Sequence, residues 1–138
     1  MNIEDIFIGA RVYVTDLPTA GKKTAVKVVD INASKDCINC EYEGITVWVW
    51  IGRVEPIPLT GKILKSNGFG YTENDTLFEL HHYYLGEPQF CRDMDLHIGN
   101  KKDVFWVDYN VNHIGGILYV HELQLALRIC GVDKQIKL

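Results

Sequence analysis

The sequence predicts an α+β protein, with an N-terminal SH3-like small β-barrel packed on a C-terminal α-β-β-β-α unit. Three observations carry that reading. Residues 1–58 break into short alternating apolar runs separated by turn formers, the spacing of a small barrel or sandwich. Pro56 and Pro58 stand two apart and hold an extended connector, since neither can donate to a central ladder. Residues 59–138 combine strand-like runs with a closing segment of helical period.

Taken in order, the first strand spans Phe7 to Val14 and closes at Asp16-Leu17-Pro18. The second runs from Thr24 to Ile31, with Val26, Val28 and Asp30 on one side and Ala25, Lys27, Val29 and Ile31 on the other. Asn32 to Asp36 is rich in turn residues and leads to a third strand, Cys37 to Glu43. Glu43-Gly44 turns into the fourth, Ile45 to Ile51. Thr60 is placed to cap a short helix over Gly61 to Ser66, stopped by Asn67-Gly68. Strands follow at Leu77 to Leu85, Phe90 to Ile98 and Val104 to Tyr109, the last two joined by a turn at Gly99 to Lys102. A helix from Leu118 to Cys130 ends the pattern, with Gly131 at its C′ position. Its apolar stripe is Tyr119, Leu123, Ala126, Leu127 and Cys130, which leaves His121, Gln124 and Arg128 on a polar stripe that faces solvent or bridges the two domains. Domains of 1–58 and 59–138 are each marginal alone, so a shared core is expected.

Composition limits the functions available. The chain has 138 residues, 47% of them hydrophobic, which is ample for a packed core and too apolar for disorder. The formal net charge is -4, and each half contributes -2, from six basic and eight acidic residues and from eight and ten. Neither half is a basic arm of the kind that neutralises nucleic-acid phosphates. No apolar stretch approaches the roughly 20 residues of a membrane span. The acidic start, Met1 to Asp5, is unlike a signal peptide, so a cytoplasmic protein with four reduced cysteines is expected.

Three blocks of residues resemble a known family. They are Ile8-Gly9-Ala10-Arg11-Val12; Val54 to Thr60 with Ile63-Leu64 and Asn67-Gly68-Phe69; and Tyr119 to Gln124 with Leu127 and Gly131. In that order they resemble small uncharacterised proteins of phages, prophages and mobile elements in gut Bacteroidales. The resemblance covers both ends and the centre, while residues 71–112 add only a strand pattern. It implies a mobile-element context and brings no catalytic residue with it.

Several constellations invite chemistry. His121-Glu122 begins like a zinc-protease helix, but position 125 is Leu, so the second ligand one turn on is missing. Cys37-x-x-Cys40 has the spacing of half a zinc site. On a strand those two positions face opposite ways, which favours Cys40 as a core residue and Cys37 outside. If the strands at 77–85 and 90–98 pair, Glu79 and His81 approach Asp93, Asp95 and His97. Such a group could bind a divalent ion or act as acid and base, against the plainer reading of a water-facing sheet surface. Lys22-Lys23 and Lys101-Lys102 fall in turns.

Trp48 and Trp50 share one face of the fourth strand, opposite Ile45, Val47, Val49 and Ile51. They either form a seam between the halves, the favoured reading, or an exposed aromatic groove. The function expected is therefore a non-enzymatic accessory or interaction protein, with no cofactor and with a protein partner. Its contact residues are Tyr42, Trp48 and Trp50 on the barrel and His121, Gln124 and Arg128 on the last helix. Nucleic-acid binding through the barrel is the alternative, and a metal-dependent enzyme the third.

Overall fold

The computed structural model describes residues 1–15, 17, 23–75, 80–85, 96–101, 104–109 and 112–138. The chain divides into two compact units, Met1–Ile57 and Pro58–Leu138. Each is built on a five-stranded antiparallel sheet, and the second also carries two α-helices, so the α+β class holds.

The first unit contains β1 (Arg11–Val14), β2 (Thr24–Asn32), β3 (Cys37–Tyr42), β4 (Ile45–Trp50) and β5 (Val54–Pro56). They lie in the order β4-β3-β2-β1-β5. Among the described residues the sheet stays open, with no pairing between β4 and β5, so the expected barrel closure is not what the strands show. Alternation on the strands sends Val12, Val14, Val26, Val28, Ile38, Cys40 and Val49 to one buried face. The first strand is shorter than its apolar run, because Phe7 to Ala10 form a turn, with the Ala10 amide donating to the Phe7 carbonyl at 3.0 Å and Gly9 at positive φ.

β2 corrects a face assignment. Its register to β3 slips between Val28 and Asp30, so one residue is extra at that point. The bulge reverses the alternation beyond it. Asp30 becomes exposed beside Asn39, and Ile31, paired with Ile38, packs against the core.

The second unit begins with α1 (Gly61–Ser66), capped by Thr60, whose hydroxyl accepts from the Ile63 amide at 3.2 Å. Five strands follow: β6 (Gly70–Asp75), β7 (Leu80–Tyr84), β8 (Leu96–Lys101), β9 (Val104–Tyr109) and β10 (Asn112–Ile117). They form a simple meander, β10-β9-β8-β7-β6. The three-strand expectation is thus corrected to five. β6 and β10 escape notice because Gly70-Tyr-Thr-Glu-Asn-Asp75 and Asn112-His-Ile-Gly-Gly-Ile117 read as turn formers, yet cross-strand pairing holds both. The turn expected at Gly99 is also replaced, since Gly99 to Lys101 continue β8. The segments 77–79 and 90–95 of the expected strands lie outside the described residues.

One sheet face is buried, through Tyr83, Leu96, Ile98, Phe105 and Val107. The helices supply Leu64 from α1, and Val120, Leu123, Ala126 and Leu127 from α2 (Val120–Ile129). Lys65 on α1 places its ammonium 3.9 Å from the Tyr71 ring centre, tying the helix to β6. Glu122 caps α2 by accepting from the Leu118 and Tyr119 amides at 2.6 and 3.0 Å. At the other end Gly131, with φ of +69°, allows the Val132 amide to reach the Leu127 carbonyl at 2.8 Å and the Gly131 amide to reach Arg128 at 3.1 Å. That reciprocal pair is a Schellman stop.

The chain after α2 has no helix or strand, but it is anchored. Ile136 is buried, and Asn67 holds Lys137 from both sides of its amide, accepting at 2.7 Å and donating at 2.7 Å. Asn67→Ala removes both links, which predicts a loss of about 1–3 kcal/mol in the unfolding of the second unit by denaturant. The same variant should be trimmed by trypsin at Lys134 faster than the parent chain, read by mass spectrometry. An unchanged trimming rate would show that Ile136 alone holds the tail.

Candidate functional site

Two surfaces concentrate functional side chains, one in each unit. In the first unit, β4 pairs with β3 so that Trp50 lies opposite Cys37, Trp48 opposite Asn39 and Thr46 opposite Glu41. All six point away from the core, because Val47 and Val49 take the inner positions beside Cys40 and Ile38. Trp48 is 51% exposed and Trp50 66% exposed. Tyr42, grouped with them from sequence, sits on the opposite face, across from Ile45 and partly packed against the core. The contact set is therefore split by the pleat. Tyr42 titrates above the ordinary phenol range, through its hydrogen bond with Glu43 and that residue's charge.

In the second unit, the open sheet face carries a chain of polar rings. Cross-strand register sets Tyr84, His97, Asp108 and His113 in one row, and His82, Gly99, Trp106 and Gly116 in the next. Asp108 is the hub. Its carboxylate accepts from Trp106 Nε1 at 3.1 Å and faces His97 Nδ1 at 3.4 Å and His113 Nδ1 at 2.9 Å. His97 Nε2 in turn lies 2.5 Å from His82 Nδ1, with ring centres 4.7 Å apart.

Gly99 makes this arrangement possible. A Cβ there would stand 2.0 Å from the Trp106 ring, so only glycine lets the indole lie flat on the strand and turn its N–H to Asp108. Because a carboxylate can only accept, both imidazoles present N–H groups to it. A neutral His97 then offers a bare Nε2, to which His82 Nδ1–H donates. Burial lowers the His82 pKa, the nearby His97 and His81 add to that, and Asp108 opposes it.

The acid-base group expected from sequence is only partly assembled. His97 belongs to the chain above, but His81 points to the other side of β7, where it bonds the Tyr71 hydroxyl at 2.7 Å and stacks on that ring. His81 and His97 therefore cannot act together. Glu79, Asp93 and Asp95 lie outside the described residues, as do Cys91, Lys22 and Lys102. Lys23 pairs with Glu55.

On α2, His121 is buried at 5% exposure, not solvent-facing as its helical position predicts. The Tyr119 ring, just before the helix, stacks on it at 5.7 Å with the planes 10° apart. First-turn residues are covered by the incoming chain, which a helical wheel does not represent. Gln124 is half-buried and Arg128 exposed, while the open face also includes Leu125 and Ile129.

Cys40 is buried, and burial pushes its thiol up to about 11, which keeps it protonated and inert. Cys37 is half-buried on the outer face and donates to the Lys35 carbonyl. Among the described residues no group of three or more His, Cys, Asp or Glu side chains is arranged to hold a metal ion. No described helix is long and apolar enough to cross a membrane.

Sequence reading missed His82, Trp106, Asp108 and His113 as a group. A signal existed in the spacing Trp106-x-Asp108, which places both on one face of a strand. The partners come from three further strands, and no local pattern announces them. Comparison with models of protein families, with curated proteins and with solved structures finds no match.

The lowered His82 pKa makes a pH prediction. Unfolded His82 binds its proton near pH 6.5, above the folded value, so falling pH favours the unfolded chain. The contribution of His82 should erode as pH drops below 6.5 and level off once the folded value is passed. Thermal melts of the protein in EDTA from pH 7.5 to 5 should show His82→Gln reducing that slope. An equal slope in the variant would rule out His82 as its source.

Proposed function

We propose that the protein is a non-enzymatic interaction module that binds another protein through the tryptophan face of its first unit. The observation that carries this reading is the pair Trp48 and Trp50, two exposed indoles one pleat repeat apart on β4. Exposed tryptophans are enriched among the residues that dominate protein interfaces. Among the described residues β4 pairs only with β3, so its outer edge offers backbone groups to an added strand. Beside Trp48, Asn39 keeps a shielded Oδ1 with no hydrogen-bond partner among the described residues. A donor from an incoming chain would remove that deficit, which costs about 1–3 kcal/mol.

The occupant that fits is an extended, basic, proline-containing segment. Its rings would stack on the indoles, and its cations would meet the exposed Glu41 on the same face and Asp30 one strand further in. An SH3-like barrel is the finer fold reading in this proposal, supported by five short strands in which β5 returns beside β1. An accessory role in a phage or mobile element rests on the resemblance of the three sequence blocks. A cytoplasmic site is part of the same proposal.

Calorimetric titration with a series of proline- and arginine-containing peptides tests the reading. Saturable binding should appear, and Trp48→Ala and Trp50→Ala should each weaken it about tenfold or more, as loss of a hot-spot aromatic does. Their melting temperatures should stay at the parent value, whereas Tyr42→Ala should lower stability and leave affinity alone. Parent-like affinity in both tryptophan variants, or their collapse, would remove the contact claim.

A further inference from the structure

We propose that His82 and His97 form a binding site for a divalent transition metal of the zinc or nickel type, with Asp108 as the positioning residue behind His97. The site is separate from the tryptophan face, and neither proposal needs the other. Two imidazole nitrogens from neighbouring strands, His82 Nδ1 and His97 Nε2, meet at 2.5 Å on the open face of the second sheet. Their partners decide which nitrogens are bare. Asp108 takes the His97 Nδ1 proton as a hydrogen bond, so neutral His97 directs its lone pair from Nε2 toward His82. This carboxylate–histidine arrangement is the one that commonly orients a metal-ligating imidazole. Asp108 is itself fixed by Trp106 Nε1 and His113 Nδ1, so His97 is held from a rigid point.

Metal-free, His82 Nδ1–H fills the gap by donating to His97. On metal binding the His82 proton moves to Nε2 through solvent, Nδ1 becomes the second ligand, and no net proton is released. Zinc–imidazole bonds of about 2.1 Å put the two ligand nitrogens about 3.0–3.4 Å apart, a small outward rotation of His82. That side chain is only half-buried and can make it. Two imidazoles without a carboxylate ligand select zinc, nickel or copper over magnesium or calcium. Water completes the coordination, so the metal is exchangeable rather than required for folding.

Titration of the EDTA-stripped, dialysed full chain with zinc chloride, and separately nickel chloride, reads the site by calorimetry. One equivalent should bind in the micromolar range. His82→Gln and His97→Gln should each weaken binding at least tenfold, and Asp108→Asn by about 10–100-fold. With nickel, paramagnetic broadening of histidine ring signals should centre on His82 and His97. Circular dichroism identifies any variant that fails to fold, and the broadening in the parent chain is decisive without variants. Binding that survives His97→Gln, broadening centred elsewhere, or no binding below about 1 mM, which corresponds to only about 4 kcal/mol, overturns the proposal.

Discussion

The pleat of a β-strand sends neighbouring side chains to opposite faces, and both units are organised around that constraint. In the first unit it separates Val47 and Val49, which face the core, from Trp48 and Trp50, which do not. In the second it separates Tyr83, Ile98 and Val107 from His82, His97 and Asp108. Each sheet thus has one face that stabilises the unit and one that is free for chemistry. A residue can cooperate only with others sent to its own side. This is why Tyr42 leaves the tryptophans and His81 leaves His97, although each pair looks compatible in sequence.

On the open face of the second sheet, one absent side chain has several consequences. Gly99 leaves room for the Trp106 ring, and the ring turns its N–H to Asp108. Asp108 then fixes His97 and His113, and His97 fixes His82. The order of these contacts runs across β10, β9, β8 and β7, so the polar chain links four strands side to side. Carboxylate, indole and imidazoles satisfy one another's hydrogen-bonding needs, which lets a polar group of this size sit half-buried. The same mutual satisfaction fixes a tautomer, and a fixed tautomer is what turns a surface histidine into a ligand.

Local signals in the chain were good guides wherever a single element decided the outcome. Thr60, Asn67 and Gly68 mark the ends of α1, and Gly131 marks the end of α2, because caps and left-handed stops are satisfied within a few residues. The faces of β3 and β4 also follow from alternation alone, including the separation of Cys37 from Cys40. Alternation failed at the β2 bulge, where one extra residue shifts Ile31 to the core and Asp30 out of it. It failed again at β6 and β10, whose polar and glycine-rich residues carry no strand signal. Partner strands supply their hydrogen bonds, and that pairing is not written in their own composition.

The sequence by itself determined the class of protein, the division into two units near the paired prolines, the helix ends and the two exposed tryptophans' shared face. All of these depend on interactions between residues close in the chain. Only the tertiary structure decided that, among the described residues, β4 and β5 do not pair and the second sheet has five strands, and that His121 is covered by Tyr119. It alone brought His82, His97, Asp108 and His113 together. Those residues lie on separate strands, and cross-strand register, set by pairing and bulges over the whole sheet, is a property no short stretch of sequence contains.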